Sequence, residues 1–240
     1  MVDAIKIKNL RQGYGKKIVL DDINLNIKQG TIMGLLAPSG AGKTTLIRTI
    51  MGMLKPKEGE IEVLGQKMPQ RKLLGEIGYM AQADALYGKL SAYENIKFFA
   101  TLMGVEDNTS IMKSMSIVNL ENDLKTKVED YSGGMQRRLS LAIALVANPE
   151  VLVLDEPTVG IDPVLRRQIW SELHKLAKKG TTILITTHVM EDAQECDNLL
   201  LLRNGKQIAQ GSPTQLKQQY QADSIEDVFI KSEKLEEKGM

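Results

Sequence analysis

The chain has little cysteine, no excess charge of either sign and no long apolar run, and each lack excludes something. Cys196 is the single cysteine among 240 residues. No disulfide framework and no cysteine-rich zinc site can be built from it. A lone thiol fits a reducing compartment, most simply the cytosol. Lysine and arginine number 31 against 30 acidic residues, a net charge of +1. The basic excess of a nucleic-acid-binding domain is absent, and no nucleic-acid partner is expected. Apolar runs such as Val151–Leu154 and Leu199–Leu202 are far too short to span a bilayer. The opening "MVDAIKIKNL" has no apolar stretch of signal-peptide length. Work at a membrane would therefore need an anchor from elsewhere. What is present is an apolar content of 42%, enough for a substantial core.

The patterning predicts strands, then helices, then strands alternating with helices. Ile5 and Ile7, and later Ile23, Leu25 and Ile27, recur at period two, as in half-buried strands. Thr31–Leu36 is nearly all apolar, as in a buried central strand. Leu46, Ile47, Ile50, Met51 and Leu54 then share one helical face, and Pro56 is the expected stop. Gly59–Leu64 and Glu76–Ala81 read as strands. Ser91 and Glu94 form a capping-box pattern opening a mainly helical stretch to Ala147. Strands return at Val151–Pro157 and in "TTILITTH", and Asp162-Pro163 starts a helix that Lys178, Lys179 and Gly180 end. Asn204-Gly205 marks a hairpin, Ser212-Pro213 opens a short helix, and Lys231–Met240 reads as a solvated tail or frayed helix. The sum is an α/β core of 1–87 and 149–222, an inserted helical subdomain at 88–148 and a C-terminal piece at 223–240.

Between the strand at 31–36 and the helix after it lies "APSGAGKTT", from Ala37 to Thr45. It matches the phosphate-loop pattern G-x-x-x-x-G-K-[ST] except that Ala37 stands at the first glycine. A tight turn into a helix aims main-chain N–H groups and the positive end of the helix dipole at one spot. Pro38, Ser39, Gly40, Ala41 and Gly42 form that turn. Lys43 supplies a charge for the outer phosphates, and the Thr44 hydroxyl can ligate Mg²⁺. Ala37 would matter only at positive φ, where an alanine costs about 1–2 kcal/mol. The stretch "VLVLDE" ends an apolar strand in Asp155, a carboxylate for the metal's surroundings, and Glu156, which can polarise an attacking water. A solvent-exposed acidic strand end is the bland alternative, and the phosphate loop argues against it.

These motifs and their order resemble the ATPase subunit of an ATP-binding cassette (ABC) transporter over about residues 3–230. After the phosphate loop come "IGYMAQ" with Gln82, "YSGGMQRRLSLA", "VLVLDEP", "VGID" and "TTH" with His188. The resemblance implies a P-loop NTPase (RecA-like) core with an N-terminal antiparallel β subdomain and an inserted helical subdomain. It implies ATP and Mg²⁺ as cofactors. It places Tyr14 on the adenine, Gln82 near the metal or water as a sensor of a membrane partner, and His188 on the γ-phosphate. Asp162 would lie at a dimer interface. Ser132, Gly133 and Gly134, the counterpart of the L-S-G-G-Q signature, would complete the site of a second protomer. Tyr131 and Met135 depart from that signature, and Met135 cannot hydrogen-bond as glutamine does. "YSGGM", "PTVGIDP" and "SIEDVFI" resemble the ABC-2 exporter group. The partners implied are a separate integral-membrane permease and a second ATPase chain, at the cytoplasmic face of the membrane. Two other readings stay open: a soluble cassette ATPase acting on ribosomes or DNA, and a regulatory nucleotide-binding module with little hydrolysis. No Asn-Lys-x-Asp stretch for a guanine base is present.

Overall fold

The computed structural model describes residues 2–82 and 85–237. They belong to two compact units, Met1–Arg71 with Leu184–Met240, and Lys72–Ile183. In the first unit β1 (Asp3–Tyr14) and β2 (Lys17–Lys28) form a long antiparallel hairpin, followed by β3 (Ile32–Leu36), α1 (Lys43–Ile50), β4 (Glu58–Val63) and β5 (Gln66–Lys67). The order β2-β1-β4-β5 makes the antiparallel sheet. Its alternation is the period-two pattern of the sequence: Ile5, Ile7, Ile23 and Ile27 are buried to within 1%.

β3 is buried at all five positions, as a two-faced central strand must be. It leads into α1, whose Leu46, Ile47 and Ile50 are fully buried. Burial of each such side chain stabilises by about 1.5–3 kcal/mol. The helix stops earlier than Pro56. It ends at Ile50, because Gly52 takes φ 71, the left-handed conformation that closes a helix C-terminus. Met53 N–H then donates back to Arg48 O at 2.9 Å.

The second unit holds β6 (Ile77–Met80), α2 (Ala92–Leu102), α3 (Asn108–Ile117), α4 (Gly133–Leu145), β7 (Val151–Asp155) and α5 (Pro163–Lys178). β6 and β7 are parallel, with Ile77 opposite Val151 and Met80 opposite Leu154. The capping box forms: Ser91 Oγ accepts from Glu94 N–H at 3.2 Å while Ser91 N–H donates to Glu94 Oε2 at 2.7 Å. The Ser91 hydroxyl, which also donates to Glu94 Oε2 at 2.7 Å, and then the Ser91 N–H hold the Glu94 carboxyl below its ordinary value. Buried Asn95 bonds the main chain of Tyr87 in both directions, at 2.9 and 3.0 Å, and so ties the approach to α2 onto the helix itself.

β8 (Thr182–Thr187) returns the chain to the first unit, followed by α6 (Met190–Gln194), β9 (Asn198–Arg203), β10 (Lys206–Gly211), α7 (Pro213–Gln219) and α8 (Ile225–Glu237). The strand order here is β10-β9-β3-β8, with β3 parallel to β9 and β9–β10 the antiparallel hairpin at Asn204-Gly205. The chain is thus a mixed α/β protein with one antiparallel and one mixed sheet. The charged C-terminal stretch is helical through Glu237, anchored by fully buried Ile225 and Val228. Residues 238–240 lie outside the described part.

Candidate functional site

The first unit contains the phosphate loop, Tyr14 and His188. Ala37, at 6% exposure, does not have a positive φ, whereas Gly40 and Gly42 do, at 79 and 108. The alanine substitution therefore falls where the backbone tolerates a side chain. Gly42 cannot be replaced so easily. A Cβ there would also meet Leu20 Cδ2 at 2.6 Å. Pro38, Ser39 and Gly40 are exposed, Ala41 and Gly42 are buried, and Ala41 N–H donates to Pro38 O at 3.2 Å. Lys43 and Thr44 open α1 beside buried Thr45. The Lys43 ammonium donates to the carbonyls of Ala37 and, at 3.3 Å, Pro38, so it is held over the loop that it would share with a phosphate.

Tyr14 ends β1 opposite Lys17, and its side chain is 49% exposed. The hairpin tip is fixed by Lys57, whose ammonium donates to Gly15 O, and by Gln12, which bonds Lys55 O at 2.8 Å. His188 is exposed just beyond β8. Its neighbours hold the turn: Val189 N–H donates to Thr187 Oγ1 at 2.9 Å, and that hydroxyl reaches buried Asp192 at 3.3 Å. Cys196 lies in the same unit, against β3, where a Cβ on Gly34 would stand 2.8 Å from its sulfur. Burial, reinforced by Asp192, pushes the thiol up and leaves it unreactive.

The second unit gathers Gln82, Asp155, Glu156 and the signature. The β6–β7 pairing ends at Met80 and Leu154, and Ala81–Gln82 and Asp155–Glu156 follow directly on the two paired segments. Asp155 is 3% exposed and Glu156 half-buried. Glu156 takes φ 55, a conformation that costs a non-glycine residue about 1–2 kcal/mol. The packing of α4 explains how it is held. Gly78 has no Cβ, and one would stand 2.2 Å from Ala144 O, so α4 rests directly on β6. That places Arg137, 7% exposed, over both strand ends. Its guanidinium donates to Ala81 O at 2.8 Å, Gln82 O at 2.9 Å, Glu156 O at 2.8 Å and Asp155 O.

Sequence reading missed Arg137. Nothing in "QRR" separates it from Arg138, which instead bonds Val118 O and Asn119 O, both at 3.0 Å, at the end of α3. Ser132 caps α4, accepting from Met135 N–H at 3.2 Å, with Gly133 exposed at the helix start. A Cβ on Gly134 would stand 3.1 Å from Gly160 O, so the signature turn lies against the "VGID" stretch. Asp162 caps α5 through Val164 and Leu165 N–H at 3.1 and 3.0 Å. Tyr131 is buried and donates to Asp123 O at 3.0 Å, and burial pushes its phenol to about 12. It is a neutral anchor beneath the signature. Trp170 is buried, its ring 5.8 Å from that of His174, a packing arrangement.

The donors named for a metal are the Thr44 hydroxyl, the Asp155 carboxylate and the Gln82 amide oxygen. All are hard oxygen donors, the kind Mg²⁺ takes, with Thr44 in the first unit and Gln82 and Asp155 in the second.

A family profile described as "ABC transporter" matches residues 20–159. An "ABC transporter G family member 20" of Dictyostelium discoideum is 42% identical over 234 residues, covering 95% of this chain and 32% of that protein. The "Nod factor export ATP-binding protein I" of Rhizobium johnstonii (strain DSM 114642 / LMG 32736 / 3841) is 42% identical over 216 residues, 88% of this chain and 70% of that protein. Among solved structures, a dimeric post-hydrolysis state of the ATP-binding cassette MJ0796 bound to ADP and Pi has a TM-score of 0.78 at 27% identity. That match covers 87% of this chain and 98% of the other.

Proposed function

The chain belongs to the ABC transporter family, and on that premise we propose that it is the ATP-hydrolysing subunit of an exporter, driving a separate permease. The observation that carries this reading is the loop at 37–45. It keeps the turn, the lysine and the hydroxyl of a phosphate cradle, and its departure at Ala37 falls at an unstrained φ. The exporter direction is supported by the likeness to the Nod factor export ATP-binding protein. Among the described residues no helix is long and apolar enough to cross a membrane. The proposed permease chain would hold this chain at the cytoplasmic face. Half-exposed Tyr87 and Phe98, ring centroids 5.2 Å apart, and 68% exposed Leu102 offer an apolar surface on the second unit for it.

Each residue takes a part. Tyr14 stacks on the adenine. Main-chain N–H groups of 38–45 and Lys43 hold the phosphates. Thr44, Gln82 and Asp155 would hold Mg²⁺, which when bound neutralises phosphate charge. Glu156 polarises the water that attacks the γ-phosphorus. The bond to the bridging oxygen breaks, and ADP and inorganic phosphate leave. His188 bonds the γ-phosphate. Ser132 and the Gly133-Gly134 main chain meet the nucleotide of a second copy, as the dimeric cassette of the related structure supports. The helical piece at 88–148 receives the permease, with 1–87 and 149–222 as the nucleotide-binding core and 223–240 as a C-terminal piece.

Phosphate release by the purified chain tests the reading. Release that needs both ATP and Mg²⁺ and is lost in Glu156→Gln is the expected result. Tight ATP binding with no release would turn the reading to a regulatory module.

A further inference from the structure

Arg137 has no part in the reading above, yet its side chain is spent on four carbonyls at two strand ends. Those carbonyls belong to Ala81 and Gln82 on one strand and to Asp155 and Glu156 on the other. A fifth contact, from Nε to Glu156 O at 3.3 Å, brings all three guanidinium nitrogens into the cluster. A strained residue persists only where its surroundings hold it, and Glu156 at φ 55 is held here by its own carbonyl. The β6–β7 register alone does not do this, because the ladder ends at Met80 and Leu154.

Resting on the hydrolytic role proposed for Glu156, we propose that Arg137 is a positioning residue that fastens the Gln82 segment to the main chain of Asp155–Glu156. Movement of the Gln82 segment is thereby transmitted to the carboxylate. The fastening is carried by α4, the helix that begins at Ser132, so the signature, Gln82 and Glu156 move as one piece. Lysine cannot substitute, because one ammonium cannot reach four carbonyls along two directions as a planar fork does.

The test is steady-state ATP hydrolysis by Arg137→Lys beside Arg138→Lys, which changes the same chemistry one residue on. Arg137→Lys should lower kcat by roughly ten-fold or more with KM for ATP within about two-fold, the pattern of a lost positioning effect. Arg138→Lys should leave both within about two-fold. In single turnovers of the Glu156→Gln chain, adding Arg137→Lys should cost less than about two-fold, since the two residues act as a unit. An equal loss in both backgrounds, or a wild-type kcat in Arg137→Lys, overturns the inference. A measurement on the unaltered chain stands if the variant does not fold. Amide hydrogen exchange of 77–82 and 151–156 should change together when ATP is added, and independent exchange of the two segments overturns the inference. A wild-type chain that hydrolyses no ATP sinks the functional reading instead, and the exchange experiment still judges the fastening.

Discussion

The unit bearing the phosphate loop and the unit bearing the signature hold their polar groups by different means. In the first, the main chain does the work. Nine consecutive residues, 37–45, follow a fully buried strand, and the donors proposed for the phosphates are peptide N–H groups of a turn in which Gly40 and Gly42 take φ 79 and 108. In the second, a side chain does it. Gln82 lies 73 and 74 residues from Asp155 and Glu156 in sequence, and just past the end of the β6–β7 ladder one buried guanidinium joins them. A main-chain site depends on a few glycines and tolerates side-chain change between them. A side-chain site depends on distant packing, here on the missing Cβ of Gly78 that lets α4 approach β6.

Substitutions on the two sides sharpen that contrast. Gly42→Ala should be the most damaging. It sets a Cβ at φ 108 and 2.6 Å from Leu20 Cδ2, and ATP affinity should fall by roughly 100-fold or more, or the chain should fail to fold. Equilibrium binding beside a thermal melt reads which occurs. Ser132→Ala should cost about 1 kcal/mol of stability by removing the cap of α4, seen as a lowered denaturation midpoint, while nucleotide binding by the first unit stays as it was. Ala37→Gly should do least. It restores the usual residue at a position whose φ does not need it, so affinity should shift less than about two-fold, with a stability loss of about 0.4–1 kcal/mol from added chain freedom.

The contrast also explains what was legible in the sequence. The phosphate loop could be read because its chemistry is contiguous and its context, strand before and helix after, is local. The caps at Ser91, Asp162 and Ser212 were legible for the same reason, and all three form. The end of α1 was not placed well, since Gly52 ends it before Pro56 is reached. Arg137 was illegible because which of two adjacent arginines faces inward depends on where α4 lands, a tertiary fact. The conformation of Glu156 was illegible because local preference opposes it.

On the proposed function, ATP closes two copies of this chain, and Glu156 ends the closed state by hydrolysis. The most direct measurement is the molecular mass of Glu156→Gln by size-exclusion chromatography with light scattering, with and without Mg-ATP. A monomer without nucleotide and a dimer with it are expected. A chain that binds ATP at one equivalent and stays monomeric at every concentration tested would contradict the proposed function.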